Sequence, residues 1–318
     1  MTVLPYIPKC SVLRFCRSSI LMLPLLLAAC DTTPEPLEIQ KLNSYDDDYY
    51  AALRAFKQSN HEISFVYYAD WAPIEGASGY KDPASWGERI VGLPDSLDIV
   101  NLWMGIPTAS THPIAYQDML ECQQKKGTRF VMHADASHYR HQFDYQGRHY
   151  DMTEGVNETI LRAYAEWIVD TVVVSGLDGV DFDYEGWSSE DMLFVAKVVD
   201  QYFGPSGQWP EKLLIVDYFN RAPSADIDAY CDYLVKQAYS YQGAGVGSNG
   251  HADEKMVYCE SFGHYPEGGQ ILNYAMWEPK QGKKGGCGAF YVERNYYHTS
   301  TGQPYDAIRA AIWLLNHH

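Results

Sequence analysis

The sequence predicts an α/β protein built as a single catalytic (β/α)8 TIM barrel, and three observations carry that expectation. Short β-rich runs alternate with helical patterns through most of the chain, the signature of βα units around a parallel sheet. Eight such units span about 260 residues, close to the ~250 typical of a (β/α)8 barrel. Neither G-x-G-x-x-G nor G-x-x-x-x-G-K-S/T follows a strand candidate, so an open doubly wound sheet that binds nucleotides has no positive signal.

The N-terminus precedes this pattern. Lys9, Arg14 and Arg17 appear with no acidic residue, then an apolar run from Ile20 to Ala29, then Cys30. Ten apolar residues are about half of the ~20 needed to cross a bilayer, so residues 1–29 read as an export signal peptide rather than a membrane anchor. Leu27-Ala28-Ala29-Cys30 resembles the bacterial lipobox, which implies cleavage before Cys30 and acylation of its thiol, giving an exported, membrane-anchored lipoprotein of the outer membrane or cell surface. Each buried CH₂ of the acyl chains would contribute about 0.8 kcal/mol to anchoring. Residues 30–55, opening Asp31-Thr-Thr-Pro-Glu-Pro, read as a flexible tether, and residues 56–318 as the barrel.

Within the barrel, strands are expected at Ile63–Tyr68, Leu97–Trp103, Arg129–Ala134, Gly179–Glu185, Leu213–Tyr218, Tyr233–Tyr239, Met256–Ser261 and Ala289–Val292. A helix is expected from Asn157 to Ser175, where Ile160, Leu161, Tyr164, Trp167, Ile168 and Val172 recur at helical spacing before Gly176. Another begins at Ser188 or Ser189, with Glu190 and Asp191 favoured in its first turn, and closes by Gly204. The last opens at Pro304 and carries Ile308, Ile312 and Leu315 on one face.

The formal charge is −17, and loss of the leader's three positive charges would take it to −20. So acidic a protein is a poor partner for nucleic acid, whose phosphates need clustered Lys and Arg. Aromatic residues make up 14 % of the chain, with 26 Tyr and 8 Trp, and supply the flat apolar faces that carbohydrate sites use, although most rings of any protein fill its core. Cys122, Cys231, Cys259 and Cys287 form no C-x-x-C pair and read as buried thiols, not as a zinc or redox site.

The segment Asp178-Gly-Val-Asp181-Phe-Asp183-Tyr-Glu185 concentrates the chemistry. Asp181, Asp183 and Glu185 share one parity, so a strand turns all three carboxylates to one face and Phe182 and Tyr184 to the other. Crowded carboxylates raise one another's pKa, which costs stability but serves catalysis: a proton held by Glu185 is available to a leaving oxygen while a neighbour stays charged. Glu185 is expected at the C-terminal end of its strand, the face where barrel active sites lie. An EF-hand would need small polar residues between its acids, so a metal site has little support, and no cofactor enters the reading.

These residues match the D-G-x-D-x-D-x-E signature of glycoside hydrolase family 18 at every fixed position, and the resemblance extends over residues 60–318. Val66-Tyr67-Tyr68-Ala69-Asp70-Trp71 is similar to the family's first strand and Gln237-Ala238-Tyr239 to its sixth. Chitinases of the family usually carry M-x-Y-D there, whereas endo-β-N-acetylglucosaminidases acting on N-glycans often carry Q-x-Y. Gln237-Ala-Tyr239-Ser240 lacks the chitinase acid and resembles the second branch.

The resemblance implies substrate-assisted, retaining hydrolysis, in which the substrate's 2-acetamido oxygen attacks the anomeric carbon. Glu185 would be the acid and later the base, Asp183 would orient the acetamido group, and Asp181 would modulate Asp183. Tyr239 and Gln237 would hold the acetamido group, with Tyr67, Trp71 and Asn101 as further substrate contacts. Trp103, His133 and Asp135 also fall near strand ends, where a packing or hydrogen-bonding role is as well supported as sugar contact. A chitinase-like activity and a non-hydrolytic sugar-binding role on the same barrel stay open, although the intact Glu185 argues against the latter.

Overall fold

The computed structural model describes residues 44–68, 89–247 and 250–317. Eight parallel strands close a barrel in the order β1-β10-β9-β8-β7-β6-β3-β2. They are β1 (Ile63–Tyr68), β2 (Ile99–Leu102), β3 (Arg129–Asp135), β6 (Gly179–Tyr184), β7 (Leu213–Tyr218), β8 (Tyr233–Gln237), β9 (Met256–Ser261) and β10 (Gly286–Phe290). Strands β4 (Gln142–Tyr145) and β5 (Arg148–Asp151) form a separate antiparallel hairpin. The predicted (β/α)8 barrel is the observed fold.

Alternation along the strands divides the core in two. Ile63, Phe65, Tyr67, Ile99, Val131, Leu213, Ile215, Val235, Val257 and Cys259 fill the barrel interior, each at most 3 % exposed. Residues of the opposite parity, such as Val66, Phe182, Tyr184 and Val216, pack outward in the larger apolar cluster beneath the helices.

The helices follow their end signals. Asn157 caps α3 (Glu158–Val174) by accepting from the Thr159 and Ile160 N–H groups, and Gly176 leaves it with φ +66°. Ser188 caps α4 (Ser189–Val199) through the Asp191 N–H. The final helix, α6 (Asp306–Leu315), starts two residues after Pro304 because Tyr305 takes a left-handed conformation, φ 62°. The others are α1 (Asp47–Lys57), α2 (Pro113–Glu121) and the short α5 (Ile271–Met276). All four cysteines of the barrel are free and buried.

Strand ends otherwise fall within two residues of expectation, and three larger differences stand out. The tether assigned to residues 30–55 stops earlier, because α1 occupies its last third: Asp46 caps it, Asp47 and Asp48 open it and Arg54 and Lys57 close it, all in keeping with the helix dipole. That helix is fastened to the barrel, with Arg54 donating to the Lys125 carbonyl at 2.7 Å and Lys57 to the Leu97 carbonyl at 2.5 Å. The last barrel strand lies at Gly286–Phe290 rather than Ala289–Val292. Its glycines look like loop residues but are demanded by close approach, since a Cβ on Gly288 would lie 1.7 Å from the Phe65 carbonyl oxygen. The β4–β5 hairpin was not expected; it turns at Gln146 and Gly147, with φ 50° and 75°.

Candidate active site

Asp181 and Asp183 stand on β6 with Phe182 and Tyr184 packed behind them, and Glu185 follows the last strand residue, exposed at the C-terminal mouth. The parity argument therefore holds for the two aspartates, and Glu185 sits one residue beyond the strand. Depth separates the three acids: Asp181 is fully buried, Asp183 about one-fifth exposed at its side chain, and Glu185 open to solvent.

A fourth acid joins them. Asp217 on β7 pairs in register with Asp183 on β6 and is fully buried. Gln237 on β8 donates through Nε2 to Asp217 Oδ1 at 2.6 Å and, more weakly, to Asp183 Oδ1 at 3.4 Å. Asn101 on β2 donates through Nδ2 to Asp181 Oδ2 at 2.7 Å. Two amides from opposite sides thus fix the carboxyl cluster. Asp217 was missed in the sequence although the same alternation placed it: it is the acid in Leu-Leu-Ile-Val-Asp-Tyr, and Leu213 and Ile215 of its parity line the barrel.

Burial sets the protonation of this cluster. It pushes Asp183 up to about 9, helped by the negative charges of Asp217 and Glu185. Burial likewise lifts Asp181 to about 7 against the opposing hydrogen bond from Asn101, and drives Asp217 well above the carboxylate range with Asp181 adding to it. Burial, ahead of mutual repulsion, is thus the first cause on all three aspartates.

The remaining residues separate into contact and support. Tyr239 lies two residues beyond β8, 8 % exposed, with its ring 6.0 Å from Phe290, 5.8 Å from Phe219 and 6.0 Å from Tyr241. Glu260, buried on β9, holds the loop after Tyr239 by accepting from the Ser240 N–H at 3.1 Å and the Gln270 N–H at 3.0 Å. Trp103, one-third exposed, faces Phe290 at 5.4 Å, so it contributes to an aromatic rim together with Tyr239 and Tyr241. Phe290, the last residue of β10, and Tyr241 with the His264 ring stacked on it at 3.5 Å were not singled out in the sequence, since no spacing rule marks a strand's last residue or the loops that carry the other two.

Asn101 and Tyr67, expected to touch substrate, are instead 0 % and 2 % exposed: Asn101 lies beneath the acids and holds Asp181, and the Tyr67 ring packs edge-on against Phe290 at 5.6 Å. His133 is kept neutral by burial, its pKa lowered to about 4. Asp135 pairs in register with Asp183 on the other side; burial disfavours its charge, but the His141 ring, with Nε2 3.3 Å away, and hydrogen bonds from Ser137 outweigh this and hold it well below the usual range. Trp71 and Cys30 lie outside the described residues. Among the described residues, no group of three or more His, Cys, Asp or Glu side chains is arranged to hold a metal ion.

A closed parallel barrel with carboxyl groups of graded depth at its C-terminal mouth, ringed by aromatic faces, defines a class: barrel hydrolases that work by carboxyl acid–base chemistry on sugars. The comparisons narrow it. The profile of glycoside hydrolase family 18, BT1044-like, matches residues 27–268. The chain belongs to that family and is a glycoside hydrolase. It is 27 % identical over 282 residues to endo-β-N-acetylglucosaminidase F2 of Elizabethkingia meningoseptica, covering 78 % of each chain. In fold it is similar to the endo-β-N-acetylglucosaminidase of Cordyceps militaris, with TM-score 0.64, 18 % identity, and 86 % of this chain and 97 % of that one covered. It is also similar to a chitinase from Bacteroides thetaiotaomicron, with TM-score 0.50, 12 % identity, and 81 % and 100 % covered.

Proposed function

We propose that this glycoside hydrolase cleaves the β-1,4 bond between the two core N-acetylglucosamines of N-glycans by a retaining, substrate-assisted mechanism. The observation that carries the proposal is the placement of Glu185 at the mouth above Asp183, with Gln237 of the Gln-Ala-Tyr segment bonded into the same cluster. The name of the Elizabethkingia relative supports the substrate.

Glu185 gives its proton to the glycosidic oxygen as the acetamido oxygen attacks the anomeric carbon, and the bond to the leaving sugar breaks. A cyclic oxazolinium ion forms. Asp183 accepts the acetamido N–H and offsets the positive charge developing on that ring, and Tyr239 walls the pocket in which it forms. Water then opens the ring as Glu185 takes back a proton, and the two displacements return the anomeric carbon to its original configuration. Asn101 acts from beneath, through Asp181.

A panel of N-glycoproteins and chitooligosaccharides tests the substrate. Turnover of glycoproteins is expected to exceed that of the oligomers by 10-fold or more, and inhibition by a thiazoline mimic of the cyclic intermediate is expected on both. Efficient hydrolysis of the oligomers alone would move the enzyme to the chitinase reading.

The chain is further proposed to be exported and lipid-anchored at Cys30, on the strength of Leu27-Ala-Ala-Cys30 behind a basic and apolar leader. Cys30→Ser is expected to shift the protein from the membrane to the soluble fraction of expressing cells. An unchanged distribution would remove the anchor from the account.

A further inference from the structure

The backbone on both sides of Tyr239 is held by side chains from outside the barrel. The Tyr274 hydroxyl, on α5, donates to the Ala238 carbonyl at 2.5 Å, one residue before it. Glu260, on β9, accepts from the Ser240 N–H at 3.1 Å, one residue after it. The two holders meet, with the Tyr274 hydroxyl 3.5 Å from Glu260 Oε2. The carboxylate also accepts from the N–H groups of Ser261 at 2.8 Å and of Gln270, the residue before α5, at 3.0 Å. Glu260 has the opposite parity to Val257 and Cys259 of the barrel interior, so it belongs to the layer under the helices, where Met256 and Tyr258 of its own strand face are apolar.

A carboxylate buried in an apolar layer is costly unless donors converge on it, and three backbone N–H groups do so here. What they fix is the course of the chain around Tyr239. We infer that Glu260 and Tyr274 are positioning residues that clamp the backbone on either side of Tyr239 and so set the place of its ring in the acetamido pocket. The role of that ring rests on the proposed function. A ring displaced by about 1 Å would still admit the sugar but would lose its fit to the cyclic ion, so the loss falls on kcat rather than on KM. Glutamine is a poor substitute for Glu260, because its amide turns N–H donors toward backbone N–H groups that need acceptors.

A double-mutant cycle tests the clamp. Tyr274→Phe, which removes one hydroxyl, and Glu260→Gln are each made in the wild type and in Tyr239→Ala, and a thiazoline mimic of the cyclic intermediate is titrated into all of them calorimetrically. In the wild type each change is expected to weaken binding of the mimic about 10-fold and to lower kcat on an N-glycopeptide by a like factor, with KM little altered. In Tyr239→Ala neither is expected to weaken the mimic by more than about 2-fold further, because the ring they place is gone. Equal losses in the two backgrounds, or no loss in the wild type beyond a lowered melting temperature, would overturn the clamp and leave the proposed function standing. A wild type that binds the mimic but leaves the glycopeptide intact would overturn the proposed substrate while the cycle still reads the clamp; one that does not bind the mimic would overturn both. If Glu260→Gln does not fold, Tyr274→Phe completes the cycle alone.

Discussion

The buried aspartates give the site a pH signature of its own. Each has a folded pKa raised above the 3.8 of a free aspartate, so the folded protein binds more protons than the unfolded chain between that value and the raised one. Their contribution to stability is therefore greatest at low pH and declines as pH rises from about 4 toward about 9. Asp183→Asn removes the part of that decline that Asp183 contributes. The expected outcome is a melting temperature for Asp183→Asn that gains on the wild type as pH rises through this window, measured by calorimetry at matched salt. A difference that does not change with pH would mean that Asp183 is not held protonated by burial. At this scale the sequence was informative where alternation and a motif coincided, at Asp181, Asp183 and Glu185. Alternation also turns Asp217 inward, but its importance comes from lateral pairing with β6, a contact between residues 34 apart that no local pattern encodes.

Among the elements, legibility tracked how far each is governed by its own sequence. The caps of α3 and α4 were readable because Asn157 and Ser188 bond within their own first turns. Strand β10 was placed too late because Gly286 and Gly288 weaken every local strand signal, while their purpose is to let β1 approach. The expected consequence is specific: Gly288→Ala sets a Cβ against the Phe65 carbonyl and the Cys259 sulfur, and is expected to destabilise the barrel by about 3 kcal/mol. Urea unfolding measures this, and a midpoint equal to the wild type would show that β10 does not run against β1 in this register. The hairpin was hidden for a different reason, since its turn uses a glutamine at positive φ where Asn-Gly or Asp-Gly would have announced it.

The whole molecule is a barrel whose stable framework and reactive mouth have opposite demands. Below the mouth, apolar residues of both parities fill the interior and the layer under the helices. Toward the mouth, Asp181, Asp183 and Asp217 with their amide partners occupy positions that a stability-driven sequence would fill with aliphatic side chains, and burial of these three acids is the cost of their chemistry. The account comes down to which bond that mouth breaks, and the mass of an N-glycoprotein after incubation reads it directly. The wild type is expected to leave each occupied asparagine carrying a single N-acetylglucosamine, with the rest of the glycan free in solution. Glu185→Gln, nearly the same in shape but unable to deliver a proton, is expected to do so 10²-fold or more slowly. Asparagines left with no sugar, or a Glu185→Gln variant that trims at the wild-type rate, would contradict the account.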